Sequence, residues 1–164
     1  LQDVKLGWRS GRLRVSMGAD QNMGALYPFS LSDKLKVITE PSPWYSSADN
    51  PWGRPIIPLE MISVLLASSL DGRPPARGPA VGLFADQEIR LIKGPLFVGE
   101  PYEIEREVVR LSGSKRTESA WVKTSVFLPG SDEVLATMLL NSATMKESYA
   151  RYAEERVALE AATA

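Results

Sequence analysis

The spacing of hydrophobic positions changes character twice along the chain. Over residues 58–70 (PLEMISVLLASSL) nearly every position is apolar or small, and Met61, Leu65 and Leu66 recur at helical spacing. A helix that is apolar on almost every side is buried, and Pro58 suits a first helical turn because its missing N–H would be unpaired there. The stretch predicts one buried central helix over 58–70, ended by the Gly- and Pro-rich run 71–79.

After residue 80 the pattern becomes that of strands. Tyr102, Ile104 and Val108 share one parity and glutamates occupy the other, until the alternation shifts at Val109 and Leu111. This shift predicts either a β-bulge or a change of the face that is buried. Short turns between long strands predict antiparallel hairpins. The predicted strands span 81–92, 97–111, 117–128 and 133–145.

The flanking segments are less regular. Residues 1–40 predict an N-terminal arm with a short strand at 13–17, and 35–39 (LKVIT) predicts either a second short strand or the beginning of a loop. Residues 147–162 predict a charged C-terminal helix. The simplest architecture that these elements predict is a single α+β domain over 35–145, with an antiparallel sheet wrapped around one apolar helix.

Composition narrows the possible functions. The chain has 164 residues, 44% of them hydrophobic and 24% charged, with a net charge of −1, so no broad attraction to nucleic acid or to anionic membranes is expected. No apolar run approaches the ~20 residues of a membrane span, and the first residues lack the apolar stretch of a signal peptide. We therefore expect a cytoplasmic protein.

The residue types that are absent exclude several kinds of chemistry. There is no cysteine and no histidine, so disulfides, Ser–His and Cys–His nucleophile pairs and a zinc site with its usual ligands are excluded within this chain. We expect neither a metal nor a cofactor. Any acid–base catalysis must use carboxylates, tyrosine, lysine or water.

The loop 41–55 (PSPWYSSADNPWGRP) carries the most unusual composition, with four prolines and three aromatic residues. Loops on a rigid scaffold are common places for binding sites. Trp44, Tyr45 and Trp52 therefore predict the wall of an apolar ligand pocket; the alternative is that the tryptophans cover the end of a core. Asn50 is expected to cap the turn that Pro51 begins.

Three segments, taken in their order along the chain, resemble the hot-dog superfamily. More narrowly, they resemble the MaoC-like acyl dehydratases, which include the (R)-specific enoyl-CoA hydratases. The resemblance covers roughly residues 35–145 and implies a hot-dog fold, an acyl-CoA or acyl-carrier thioester as ligand, and a dimer of two hot-dog chains. The segments are NPWGRPIIPLEMISVLL (50–66), VGEPYEIEREVV (98–109) and WVKTSVFLPGSDEVLATMLLNSATM (121–145).

The resemblance breaks down at the catalytic residues. Hydratases of this family carry an Asp and a His five positions apart in the loop before the helix, where this chain has Glu40 and Tyr45. A phenol titrates near ~10, so Tyr45 is better suited to donate a hydrogen bond than to act as a base. Glu40 is either a lone carboxylate acting on water or a solvated residue before a proline turn. The resemblance therefore implies a degenerate hydratase site.

The start of the central helix offers a second kind of chemistry. Some hot-dog thioesterases place a catalytic carboxylate on this helix, where this chain has Glu60; the alternative is an acidic residue that simply stabilises the first helical turn. The N–H groups of Leu59 and Glu60 could polarise a thioester carbonyl, as an oxyanion hole does. The residues expected to bind the substrate are Trp44, Asn50, Trp52, Gly53 and Leu59.

Four cations are candidate ligands for the phosphates of coenzyme A, and the alternative for each is an ordinary surface charge. They are Arg73, Arg77, Arg90 and Lys93.

Three functions stay open from the sequence: an acyl-thioester-binding protein with a degenerate site, an active hydratase or thioesterase, and a non-catalytic subunit or interaction protein. Both parities of the strand 133–145 are largely apolar, which predicts that one of its faces is covered by a homodimeric or heterodimeric partner.

Overall fold

The fold is built on one five-stranded antiparallel sheet. The computed structural model describes residues 3–69, 71–75 and 78–163. The strands lie in the order β1-β3-β4-β5-β2, and each pairs antiparallel with its neighbours. This confirms the antiparallel sheet that the alternating pattern predicted. The strands are β1 (Leu13–Val15), β2 (Gly82–Leu91), β3 (Tyr102–Gly113), β4 (Thr117–Phe127) and β5 (Ala136–Met145).

The helices are short. α1 spans Leu31–Leu35, α2 spans Leu59–Ala67 and α3 spans Tyr152–Thr163, with 3₁₀ turns at Pro43–Tyr45 and Lys146–Ser148. The stretch 35–39 forms no strand, so its alternative as the beginning of a loop is the correct one. The reason lies upstream: the side chains of Ser30 and Asp33 form a capping box, which starts a helical turn that ends at Leu35.

α2 is the buried helix that the apolar pattern predicted. Met61, Ile62, Leu65 and Leu66 are each at most 1% exposed, and they belong to one core cluster with the inward-facing residues of the sheet. α2 ends at Ala67, earlier than the predicted residue 70; Leu70 itself lies outside the described residues. The sheet therefore wraps one apolar helix of nine residues.

The predicted bulge in β3 is also confirmed. Val108 pairs with Val122 and Arg110 with Trp121, so Val109 is the extra residue on β3. From Tyr102 to Val108 every second residue is buried, which places this parity on the inner face of the sheet. The inner parity includes Arg106, a charged residue among apolar ones.

β2 is an edge strand with unusual exposure. Among the described strands it pairs with β5 alone, and nearly all its residues are exposed on both faces. That a partner covers one face of β5 stays a prediction, and a further group of exposed apolar side chains lies on β2 and next to it. They are Val81, Leu83, Phe84, Leu91 and Ile92.

Candidate functional site

The loop 41–55 is ordered around a pair of tryptophans. The Trp44 and Trp52 rings meet edge to face, with centroids 5.6 Å apart. They are 39% and 43% exposed, so neither ring is part of the buried core. The backbone N–H of Ile56 donates to the Trp44 carbonyl over 2.9 Å, three residues before α2 begins. The loop therefore presents an aromatic surface and leads directly to the N-terminus of α2.

Asn50 holds this loop together. Its Nδ2 donates to the carbonyls of Ser47 and Arg54, each over 2.9 Å, and its Oδ1 accepts the N–H of Trp52 over 2.9 Å. This confirms the expected capping role of Asn50. Gly53 follows with φ at +68°, a conformation that favours glycine. Both residues shape the backbone that carries Trp52.

Arg54 joins the loop to the turn before β3. Its guanidinium forms an ion pair with Glu100 at 2.6 Å and lies 3.7 Å from the centroid of the Phe97 ring. The Phe97 N–H in turn donates to the Tyr102 hydroxyl over 2.8 Å, and burial raises the pKa of Tyr102. These contacts connect the aromatic loop to the buried Tyr102 of the sheet.

The N-terminus of α2 is the exposed end of a buried helix. Leu59 is 57% exposed, and Glu60 forms an ion pair with Lys34 of α1 at 3.1 Å. The first N–H groups of an α-helix have no partner within the helix, and the helix dipole makes this end partly positive. The Leu59 and Glu60 N–H groups are therefore placed to meet a carbonyl oxygen or an anion.

The structure does not assemble a general acid–base pair from the predicted residues. Glu40 is exposed and, within the part of the chain that is described, makes no hydrogen bond or ion pair. Tyr45 ends the 3₁₀ turn and is half-buried. Neither of them lines the apolar cavity described next.

A cavity of about 220 Å³ lies at the other end of α2, between its C-terminus and the inner face of the sheet. Most of its lining is apolar, and two arginines border it. The sequence interpretation missed this cavity, although a cation on the buried parity of β3 was a visible signal for part of it. The lining residues include Val4, Leu66, Phe84, Val122, Met138 and Leu140, with Arg73 and Arg106.

Arg106 is the most deeply buried charge described, at 5% exposure. Its guanidinium donates to the carbonyls of Leu66 and Asp71 over 2.7 and 2.8 Å, and to those of Ser69 and Gly72 over longer distances. Burial lowers the pKa of Arg106, and the nearby charge of Arg73 lowers it further. The side chain therefore fastens the C-terminal end of α2 to the sheet.

Of the four cations proposed to meet phosphates, the three that the structure describes do not form one cluster. Arg90 pairs with Glu88 and Lys93 with Glu133, at 2.7 and 3.0 Å. Arg73 borders the cavity, and Arg77 lies outside the described residues. Within the described ranges there is no group of three or more potential metal-ligating side chains. No helix among them is both long and apolar enough to cross a bilayer.

Comparison with solved structures gives clear neighbours. The (R)-hydratase from A. caviae involved in PHA biosynthesis superimposes with a TM-score of 0.58 at 22% identity, over 87% of this chain and 98% of its own. A MaoC-like dehydratase from Rhodospirillum rubrum gives a TM-score of 0.56 at 16% identity, over 88% and 95%. The chain has a hot-dog fold. This confirms the α+β hot-dog architecture that the resemblance implied.

A third neighbour comes from a complex of two proteins. The ChsH1–ChsH2 complex from Mycobacterium tuberculosis matches with a TM-score of 0.57 at 18% identity, over 84% of each chain. No protein-family model and no curated protein matches the sequence.

Proposed function

We propose that this hot-dog chain binds acyl thioesters, in the manner of the MaoC-like dehydratases, and that its hydratase site is degenerate. The observation that carries the proposal is the exposed N-terminus of α2 directly after the aromatic loop 41–55. Hydrogen-bond donors aimed at a thioester oxygen need no particular side chain, so this binding function does not depend on a histidine.

The parts of the site have complementary roles in the proposal. The Leu59 and Glu60 N–H groups receive the thioester carbonyl, and the exposed Trp44 and Trp52 rings supply apolar surface for the acyl or pantetheine part of the ligand. In the described part of the chain, the site has no evident general acid or base for proton transfer. Glu40 is exposed, and neither Glu40 nor Tyr45 makes a side-chain hydrogen bond among the described residues.

The proposal includes a second hot-dog chain. An edge strand with exposed backbone and apolar side chains on both faces is a template for pairing with another strand, and β2 has these features. We infer that β2 pairs with another hot-dog chain, and a second copy of this chain is the first partner to test. The M. tuberculosis complex motivates a heterodimer as the alternative outcome.

Thioester hydrolysis is the alternative activity, and the position of Glu60 is what favours testing it. Its carboxylate lies in the first turn of α2, next to the proposed carbonyl site. However, the ion pair with Lys34 gives Glu60 a sufficient structural role. Thioesterase activity that disappears in Glu60→Gln would assign the alternative function.

A matched pair of variants tests the binding site. Leu59→Pro removes one N–H while keeping the helix, because proline suits the first helical position and Pro58 already has the extended ψ of 144° that a following proline requires. Leu59→Ala is the control, since it keeps the N–H. We expect crotonyl-CoA to bind at least fivefold more weakly to Leu59→Pro than to Leu59→Ala, by isothermal titration calorimetry. Equal affinities would contradict the proposed carbonyl site.

A further inference from the structure

The cavity at the C-terminus of α2 is separate from the proposed thioester site. α2 has nine residues, so its two ends lie about 13 Å apart along the helix axis. The floor of the cavity is formed by side chains on the inner face of the sheet, including Val122, Met138 and Leu140. Leu66 lines it from the helix and Phe84 from the edge strand. An apolar ligand would thus be enclosed by the helix and the sheet.

The two arginines at this cavity form no ion pair with a carboxylate in the described part of the chain. Arg73 donates from Nη2 to the Ala67 carbonyl over 3.1 Å, and the described acceptors of the Arg106 guanidinium are all backbone carbonyls. Within the described residues neither guanidinium forms an ion pair. The C-terminus of a helix supplies roughly half a negative charge, whereas the two arginines bring two positive ones. Among the described residues, the two guanidinium charges at this border are therefore not neutralised by ion pairs.

Hydrogen bonds to carbonyls at and after the end of α2 explain the position of Arg106, but they use only part of the hydrogen-bonding capacity of Arg73. Arg73 is exposed and uses one of its three guanidinium nitrogens in a hydrogen bond within the described part of the chain. The remaining donors form the planar fork that pairs with a carboxylate. The like charge of Arg73 contributes to the lowered pKa of Arg106. An anionic group at the border would relieve this repulsion.

We propose that this cavity binds a small amphipathic carboxylate, with its hydrocarbon part against Val122, Met138 and Leu140 and its carboxylate on Arg73. An engineered apolar cavity of about 150 Å³ accommodates benzene, and the present cavity has about 220 Å³. A medium-chain fatty acid has a suitable size. The site does not depend on the thioester-binding proposal, because it uses different residues at the opposite end of α2.

The experiment is an NMR and calorimetric titration of the full chain with sodium octanoate, with octanol as the uncharged ligand of the same chain length. We expect octanoate to bind at a ratio of one to one and at least tenfold more tightly than octanol. The Met138 methyl resonance reports on the cavity, and that of Met61, at the other end of α2, is the internal control. Octanoate should shift Met138 and leave Met61 unchanged.

Variants distinguish specific binding of the carboxylate from nonspecific hydrophobic binding. Arg73→Gln should weaken octanoate binding at least tenfold, and Arg90→Gln, which removes an exposed arginine away from the cavity, should leave it unchanged. Ser142→Leu, which fills the cavity from β5, should abolish binding by octanoate and octanol alike. The inference is overturned if the folded wild-type chain does not bind millimolar octanoate, if octanol binds equally well, or if Arg73→Gln has no effect.

Discussion

The guanidinium of Arg106 on β3 donates to the backbone carbonyl of Leu66 on α2 over 2.7 Å. The two residues are 40 positions apart in the sequence. Arg106 is the charged residue among the alternate buried positions of β3, whose other members are Tyr102, Ile104 and Val108. The same guanidinium also binds carbonyls of the segment after the helix. The sheet therefore supplies a partner for the Leu66 carbonyl, one of the last carbonyls of α2, which have none within the helix.

Replacing Arg106 should destabilise the fold. Arg106→Leu leaves the Leu66 carbonyl of α2, and carbonyls of the segment after the helix, without this donor. We expect the free energy of unfolding to fall by about 2–4 kcal/mol. Urea denaturation measures this change. Arg110→Leu is the control, because Arg110 is exposed on the outer face of the same strand, and its effect should stay below about 1 kcal/mol. Equal losses in both variants would remove the special role of Arg106.

Asn50 should control the order of the aromatic loop. Asn50→Ala removes three hydrogen bonds at once, which should lower the local stability of 41–55 by about 1–2 kcal/mol. Hydrogen exchange at the Trp52 amide, whose acceptor is lost, should become faster. Asp49→Ala, at the exposed neighbouring position, should leave this exchange rate unchanged. An unaltered rate in Asn50→Ala would show that the loop is held by its prolines alone.

The β2 edge should mediate self-association. Sedimentation should find a dimer at micromolar concentration, and the double variant Leu83→Lys with Leu91→Lys should convert it to a monomer because charges oppose strand pairing. Val157→Lys changes an exposed apolar residue on α3 and should leave the dimer intact. A stable wild-type monomer would contradict a homodimer and direct the search to a different hot-dog chain.

Asp33 should titrate in an unusually acidic range. The Lys36 ammonium at 2.9 Å and hydrogen bonds from Ser30 lower the pKa of Asp33 to about 2, from an ordinary value of 3.8. Because the pKa is lowered in the folded state, the stabilisation is present above pH 4 and is lost as the pH falls towards 2. Carboxyl NMR titration measures this directly, and Lys36→Met should raise the pKa. An ordinary pKa in the wild-type chain would contradict the cap geometry.

The sequence predicted those features that depend on regular periodicity. The apolar density around Met61 and Leu65 indicated the buried helix, and the parity shift at Val109 indicated the bulge. The short strand predicted at 13–17 is present as β1, Leu13–Val15. Local spacing is enough for these features because each follows from one element burying one face.

Features that depend on contacts between distant segments were not predictable in the same way. The cavity combines an N-terminal residue, Val4, with residues of β2, β4 and β5. The ion pair between Lys34 and Glu60 joins two helices across the loop 41–55. No spacing rule places such residues together before the topology is known. The division into an arm over 1–40, a domain over 35–145 and a terminal helix, and the roles of the predicted site residues, stay predictions.

The central claim is that the site binds acyl thioesters without hydrating them efficiently. Losing a positioned general base costs about 10²–10⁴ in rate, whereas binding through helix N–H groups and aromatic rings survives that loss. The most direct test measures crotonyl-CoA affinity and crotonyl-CoA hydration on one sample of the wild-type chain. We predict saturable binding with hydration at least a hundredfold below a typical turnover of about 10 per second. Hydration at that typical rate, abolished in Tyr45→Phe or Glu40→Gln, would contradict the account.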